Sequence, residues 1–135
     1  MIDSFSGEYR FLSNFYADPH GGPTVEHYFQ AAKTLNPDEI EAILRARTPG
    51  QAKSMGRKAT LRPDWDDIKD GVMLELLRDK FYVKHMRSKL LATGDAELIE
   101  GNTWGDTYWG VCNGRGQNKL GKLLMQVRDE LKDNG

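Results

Sequence analysis

Residues 64–84 read DWDDIKDGVMLELLRDKFYVK, and this stretch decides the fold class. Trp65, Ile68, Val72 and Leu76 form one stripe, with Met73, Leu77 and Phe81 beside it. That spacing matches the 3.6-residue period of a helix with one core-facing side. It predicts a helix from about Asp64 to Lys84, the longest in the chain.

Upstream, three helix starts can be read from their capping chemistry. Thr24 opens TVEHYFQAAKTL, where a threonine hydroxyl accepts an orphan N–H of the first turn. Asn36-Pro37-Asp38-Glu39 combines a capping side chain, proline at the first helical position and a glutamate three residues on. Thr48-Pro49-Gly50-Gln51 repeats that logic for a helix ending near Gly56. Downstream, Met86, Leu90 and Leu91 fit a short helix stopped at Gly94, and Ala96 to Glu100 fits a short strand or a further helical turn. A last helix is expected from Gln117 to Lys132, burying Leu120, Leu123, Leu124, Val127 and Leu131. The first 23 residues, aromatic and closing on Gly21-Gly22-Pro23, suggest short extended pieces and turns. The expected architecture is a single, mainly α domain over residues 1–135, with an irregular, partly extended N-terminal segment and a Gly/Trp-rich loop.

A chain of 135 residues suits one domain with its own core. Its 39% hydrophobic and 29% charged residues are those of a globular protein. No apolar run reaches the roughly 20 residues that span a bilayer, and MIDSFSGEYRF is no signal peptide. Cys112, the lone cysteine, has no internal disulfide partner, so a cytoplasmic setting is expected, with no membrane partner. Net charge is −1, which gives no strong overall pull on nucleic acid. Two stretches lack acids, however. Ala46–Pro63 carries Arg47, Lys53, Arg57, Lys58 and Arg62, and Thr107–Arg128 carries Arg115, Lys119, Lys122 and Arg128. They read as two solvated basic faces or as two walls of one anion site.

Three places offer chemistry. On the first helix Glu26, Gln30 and Lys33 share a face through four- and three-residue steps, with Phe29 beside them. Val25, Tyr28 and Ala32 are the expected anchors of that helix to the core. A polar line on an aromatic helix is costly to bury without a purpose; a solvated face with one Glu–Lys contact is the plain alternative. His27 suits a structural hydrogen bond, and no HxxxH or Cys/His spacing is present, so neither a metal nor another cofactor is expected. In the second place, residues 102–110, Asp106 stands among Trp104, Tyr108 and Trp109. Such rings suit stacking on a base, or serve as lids on the core. The third, Asn113-Gly114-Arg115-Gly116-Gln117-Asn118, opens the last helix, where free N–H groups favour phosphate; a loop that only caps the helix is the alternative. Gly56-Arg57 offers a guanidinium for a second phosphate contact.

The chain resembles the NADAR family of YbiA-like N-glycosidases. The resemblance is carried by FLSNFY at 11–16, TVEHYFQAAK at 24–33, Met55-Gly56-Arg57, Trp65, DTYWG at 106–110 and GQNKLGKLLM at 116–125. These pieces cover nearly the whole chain. The resemblance implies a mainly helical fold and cleavage of a bond between ribose and a base-like nitrogen. Two substrate types follow from it: phosphoribosyl-aminopyrimidine intermediates of riboflavin biosynthesis, and ADP-ribosylated guanine, free or in nucleic acid. The implied catalytic residues are Glu26, Asp106 and Trp109, with Asn14, Lys33, Gly56, Arg57, Trp104, Gly110 and Asn118 around the ligand. In that scheme Glu26 handles the attacking water, Asp106 holds a ribose hydroxyl or assists proton transfer, and Trp109 stacks on the base. Arg57, Lys33 and the Gly114–Asn118 turn bind phosphate. A non-catalytic binder of ADP-ribose or another nucleotide uses the same aromatics and cations without needing Glu26 and Asp106. A helical interaction module would use the loop aromatics as a partner patch.

Overall fold

The computed structural model describes residues 1–134. In order along the chain lie a 3-10 helix (Gly7–Leu12), α1 (Val25–Ala31), α2 (Pro37–Leu44), α3 (Pro49–Lys58), α4 (Trp65–Tyr82), α5 (Lys84–Ala92), β1 (Gly101–Asn102), β2 (Val111–Cys112) and α6 (Lys119–Asn134). The fold is mainly helical, as its sequence periodicity indicates. Two compact units divide it, one of residues 14–76 and the other of residues 1–13 with 77–134.

The caps form where the sequence offers them. Thr24 accepts from the His27 N–H at 3.3 Å, Asn36 accepts from Asp38 and Glu39 at 2.9 and 3.3 Å, and Thr48 accepts from Gln51 at 3.1 Å. Glu39 does not turn back to its own cap. Its carboxylate instead accepts from the Thr34 hydroxyl at 2.6 Å and the Thr60 N–H at 3.1 Å, tying the entry of α2 to the exit of α3.

In the unit of residues 14–76, α1, α2 and α3 pack on one another around Ala31, Ile43 and Ala52. Phe29 meets Trp65, the first residue of α4, with ring centroids 5.0 Å apart. Val25, Phe29 and Ala31 are buried, whereas Tyr28 is 43% exposed, so Phe29 replaces Tyr28 as the aromatic anchor of α1.

In the other unit α5 packs against α6 and against the 3-10 helix. Arg78 grips Glu130 through two bonds of 3.0 and 2.7 Å. The N-terminal segment is irregular, as expected, but also holds a 3-10 helix. Ile2 alone makes a bridge, to Leu98, and residues 7–12 coil into the 3-10 helix that buries Phe11 and Leu12. The Ala96–Glu100 segment supplies the other side of that bridge. Along α4, Met73, Leu77 and Phe81 are buried, while Ile68, Val72 and Leu76 are only partly covered. The core-facing stripe is therefore the neighbour of the one the spacing puts first, with Trp65 shared. On α6, Leu120, Leu124 and Val127 are buried, and Leu123 and Leu131 flank them. Arg128 is also buried, donating to the Thr93 hydroxyl at 2.9 Å, so that end of the second basic stretch is no solvated face. No helix among the described residues is long and apolar enough to cross a membrane.

Candidate functional site

The polar line of α1 is buried. Glu26 is 8% exposed and Gln30 4%, which removes the reading of a solvated Glu–Lys face. The Glu26 backbone N–H donates to the Asn14 carbonyl at 3.1 Å, so the end of the FLSNF block is fastened to the first turn of α1. The Asn14 carboxamide donates to the Met73 sulfur at 3.5 Å, while its buried Oδ1 has no protein partner. One turn along α1, Gln30 Nε2 donates to Glu26 Oε2 at 3.4 Å.

Lys33 follows at the end of the line, half-buried. Burial pushes its ammonium below the usual lysine range; Glu26 opposes that shift, and Arg57, Lys53 and Lys69 add to it. Lys33 thus feels three further cations as well as a buried carboxylate. Like charges gathered in this way raise the local affinity for a polyanion. Lys53 also sits 5.9 Å from the centroid of the Phe15 ring, and Phe15 is 42% exposed. Gly56 is buried in α3, and a Cβ there would lie 2.7 Å from the Gln30 carboxamide carbon. Of the expected site residues, this unit brings together Asn14, Glu26, Lys33, Gly56 and Arg57.

His27 is structural, as read from the sequence. Its Nε2 donates to the Ala46 carbonyl at 2.9 Å, which leaves Nδ1 to accept from the Thr24 N–H and hydroxyl at 3.1 and 2.8 Å.

The other unit holds the loop residues. Asp106 Oδ1 accepts from the Tyr108 and Trp109 N–H groups at 3.1 and 2.9 Å. Asn102 clasps Asp106 from behind, accepting from its N–H at 3.0 Å and donating to its carbonyl at 2.8 Å. The carboxylate therefore shapes the turn that carries Trp109, whose ring meets Tyr108 edge-on at 4.9 Å. Trp104 is 63% exposed and is no lid on the core. Gly110 is buried, and a Cβ there would collide with the Glu100 carbonyl and approach the Asn102 amide to 2.7 Å. We expect Gly110→Ala to destabilise the protein by roughly 1–3 kcal/mol, the usual cost of overpacking, as measured by urea unfolding.

The Gly114–Asn118 turn does not form the phosphate cradle expected of it. The N–H groups of Gln117, Asn118, Lys119 and Leu120 donate to the carbonyls of Thr107, Gly110, Tyr108 and Trp109 at 2.8–3.3 Å. The Asn118 carboxamide accepts from the Glu100 N–H and donates to the Leu98 carbonyl, each at 2.9 Å. The start of α6 is thus sewn to the aromatic loop, which occupies these four N–H groups. Cys112 is buried, and it exchanges backbone bonds with Arg115 around a turn in which Asn113 and Gly114 have φ of 53° and 75°.

Residues 4–132 match the family model described as the NADAR domain. The chain is 44% identical over 137 residues to the N-glycosidase YbiA of Shigella flexneri serotype 5b, covering 95% of this chain and 85% of that protein. It is 39% identical over 133 residues to a riboflavin biosynthesis protein of Vibrio vulnificus, covering 92% of this chain and 36% of the relative. The NMR structure of the E. coli protein YbiA superposes with a TM-score of 0.84 at 40% identity, over 99% of this chain and 88% of that one.

Proposed function

Because the chain belongs to the NADAR family, we propose that it is an N-glycosidase acting on a phosphorylated ribosyl substrate. Two substrates fit: ADP-ribosylated guanine, free or in nucleic acid, and the phosphoribosyl-aminopyrimidine intermediates of riboflavin biosynthesis. The observation that carries the proposal is a buried carboxylate, Glu26, in electrostatic range of the half-buried Lys33 just past the end of α1, with Arg57, Lys53 and Lys69 in electrostatic range of that lysine. The names of the Shigella and Vibrio relatives support N-glycosidic chemistry and a link to riboflavin biosynthesis respectively.

Hydrolysis breaks the bond between the ribose anomeric carbon and the base nitrogen. The base leaves with the electron pair and takes up a proton, and a water oxygen bonds to the sugar. Positive charge gathers on the sugar at the transition state, and carboxylates stabilise such charge in glycoside chemistry. Glu26 takes that role and orients or deprotonates the water. Lys33 and Arg57 bind phosphate, whose remote binding energy favours distortion of the sugar. Asp106 acts by holding the 106–110 turn, assisted by Gly110 and Asn118, and Trp104 and Trp109 offer the kind of aromatic face that stacks on bases.

Lys33→Met tests the phosphate assignment. A bond to a charged group contributes roughly 1.5–3 kcal/mol, so KM should rise about 10- to 100-fold. Stability should not fall. The folded chain holds the Lys33 proton less tightly than the unfolded chain does, so the ion disfavours folding. That penalty fades as pH rises from the lowered value through the unfolded pKa of ~10.4. A Tm at neutral pH at or above that of the parent is the expected outcome.

The proposal as a whole is tested by incubating the protein with an ADP-ribosylated guanine oligonucleotide and with the aminopyrimidine intermediate, then following free base by chromatography. Release from either supports it. Tight nucleotide binding with no release from both would favour the non-catalytic binder.

A further inference from the structure

We infer that Gln30 is a positioning residue for the Glu26 carboxylate, and that position 56 is glycine so that the Gln30 carboxamide can lie across α3. This inference rests on the proposed role of Glu26 and names what holds that group.

Two locally unfavourable choices meet here. Gln30 is 4% exposed, and its Oε1 is buried with no protein partner. A methionine of similar size would fill the space without burying an unpaired acceptor. Gly56 lies inside α3, where glycine weakens a helix relative to alanine. Each is explained by the other. A Cβ on residue 56 would meet the Gln30 carboxamide oxygen and approach its carbon to 2.7 Å and its Cβ to 3.0 Å. Glycine therefore leaves a slot of the amide's own thickness, and the amide lies in it with its NH2 end toward Glu26 Oε2. The reversed amide would set a carbonyl oxygen against a carboxylate, so the neighbouring charge fixes the orientation.

The consequence is chemical as well as steric. A donor to the ionised form of a carboxylate favours that form, and a neutral amide does so without cancelling its charge. One cation acts alongside it, Lys33 just past the end of α1, which is in electrostatic range of Glu26. Gln30 differs from it in lying on the same helix, four residues from Glu26, with its amide in hydrogen-bond contact with the carboxylate.

The test replaces Gln30 with methionine, which keeps the volume and removes the donor. Titration of the Glu26 carboxyl by 13C NMR should show its pKa rising, with no substrate required. With the substrate that releases base, kcat should fall at least ~10-fold with KM changed by less than ~3-fold, and the acid limb of the kcat/KM profile should move to higher pH. Gly56→Ala should reproduce these changes by evicting the amide, and should add little to Gln30→Ala, because both act on one arrangement. If Gly56→Ala fails to fold, Gln30→Met decides alone. An unmoved Glu26 titration together with an unmoved acid limb in Gln30→Met overturns the inference, even where Tm drops. The two readings separate cleanly: a fully active Glu26→Gln protein overturns both, whereas an inactive Glu26→Gln beside an unaltered Gln30→Met overturns this one alone.

Discussion

Glu26→Gln is expected to lower turnover at least ~100-fold, the loss typical of removing a general acid–base group, while the protein stays folded. Glutamine keeps the shape and still allows the backbone bond from residue 26 to Asn14. It removes the one negative charge that raises the Lys33 pKa, leaving burial and the Arg57, Lys53 and Lys69 charges to lower it further. Ligand binding should move the other way. Removing a carboxylate from a cationic surround lessens repulsion of phosphate, so affinity for the ribosyl phosphate product should hold or tighten. Loss of kcat with retained or improved binding, read by stopped assays and calorimetry, separates lost chemistry from lost structure. Near-normal turnover in a folded Glu26→Gln protein would remove Glu26 from the reaction.

Much of this arrangement could be read from residue order, for identifiable reasons. Caps are local, so Thr24, Asn36 and Thr48 announced three helices within a few residues of their true starts. The shared face of Glu26 and Gln30 follows from helical spacing alone. Helix α1 stops at Ala31, however, short of the expected TVEHYFQAAKTL, and Lys33 lies in the turn beyond it with its N–H on the Gln30 carbonyl at 3.2 Å. The burial of the Glu26–Gln30 face does not follow from spacing, because burial depends on what packs over the helix. The same limit governs α4, where two adjacent stripes share one period and only the neighbours decide which turns inward. The 3-10 helix at residues 7–12 escaped because its bonds span three residues and leave no long hydrophobic repeat. In the sequence Asp106 reads as a carboxylate among aromatics. Its spacing to the Tyr108 and Trp109 N–H groups is that of an Asx turn, a short-range signal present in Asp-Thr-Tyr-Trp. For the Gly114–Asn118 turn, a glycine-rich approach to a helix implied open N–H groups. The carbonyls that occupy them come from residues 107–110, which no local pattern reveals.

The α4 stripes yield the second large effect, since neighbouring leucines should behave differently. Leu77 is fully buried, whereas Leu76 is partly covered and lines an open surface groove with Ile68, Val72 and Glu75. Leu77→Ala removes buried carbons and leaves a cavity that close-packed neighbours fill only in part, so a loss of about 2–5 kcal/mol is expected. That is a large fraction of the roughly 5–15 kcal/mol by which domains of this kind are stable. Leu76→Ala opens no enclosed cavity, and alanine favours helix slightly more than leucine does, so its loss should stay below ~1 kcal/mol. Urea unfolding of the two variants side by side measures the difference with the chemical change held constant. Equal losses, or a larger one at Leu76, would mean that α4 presents its other stripe to the core.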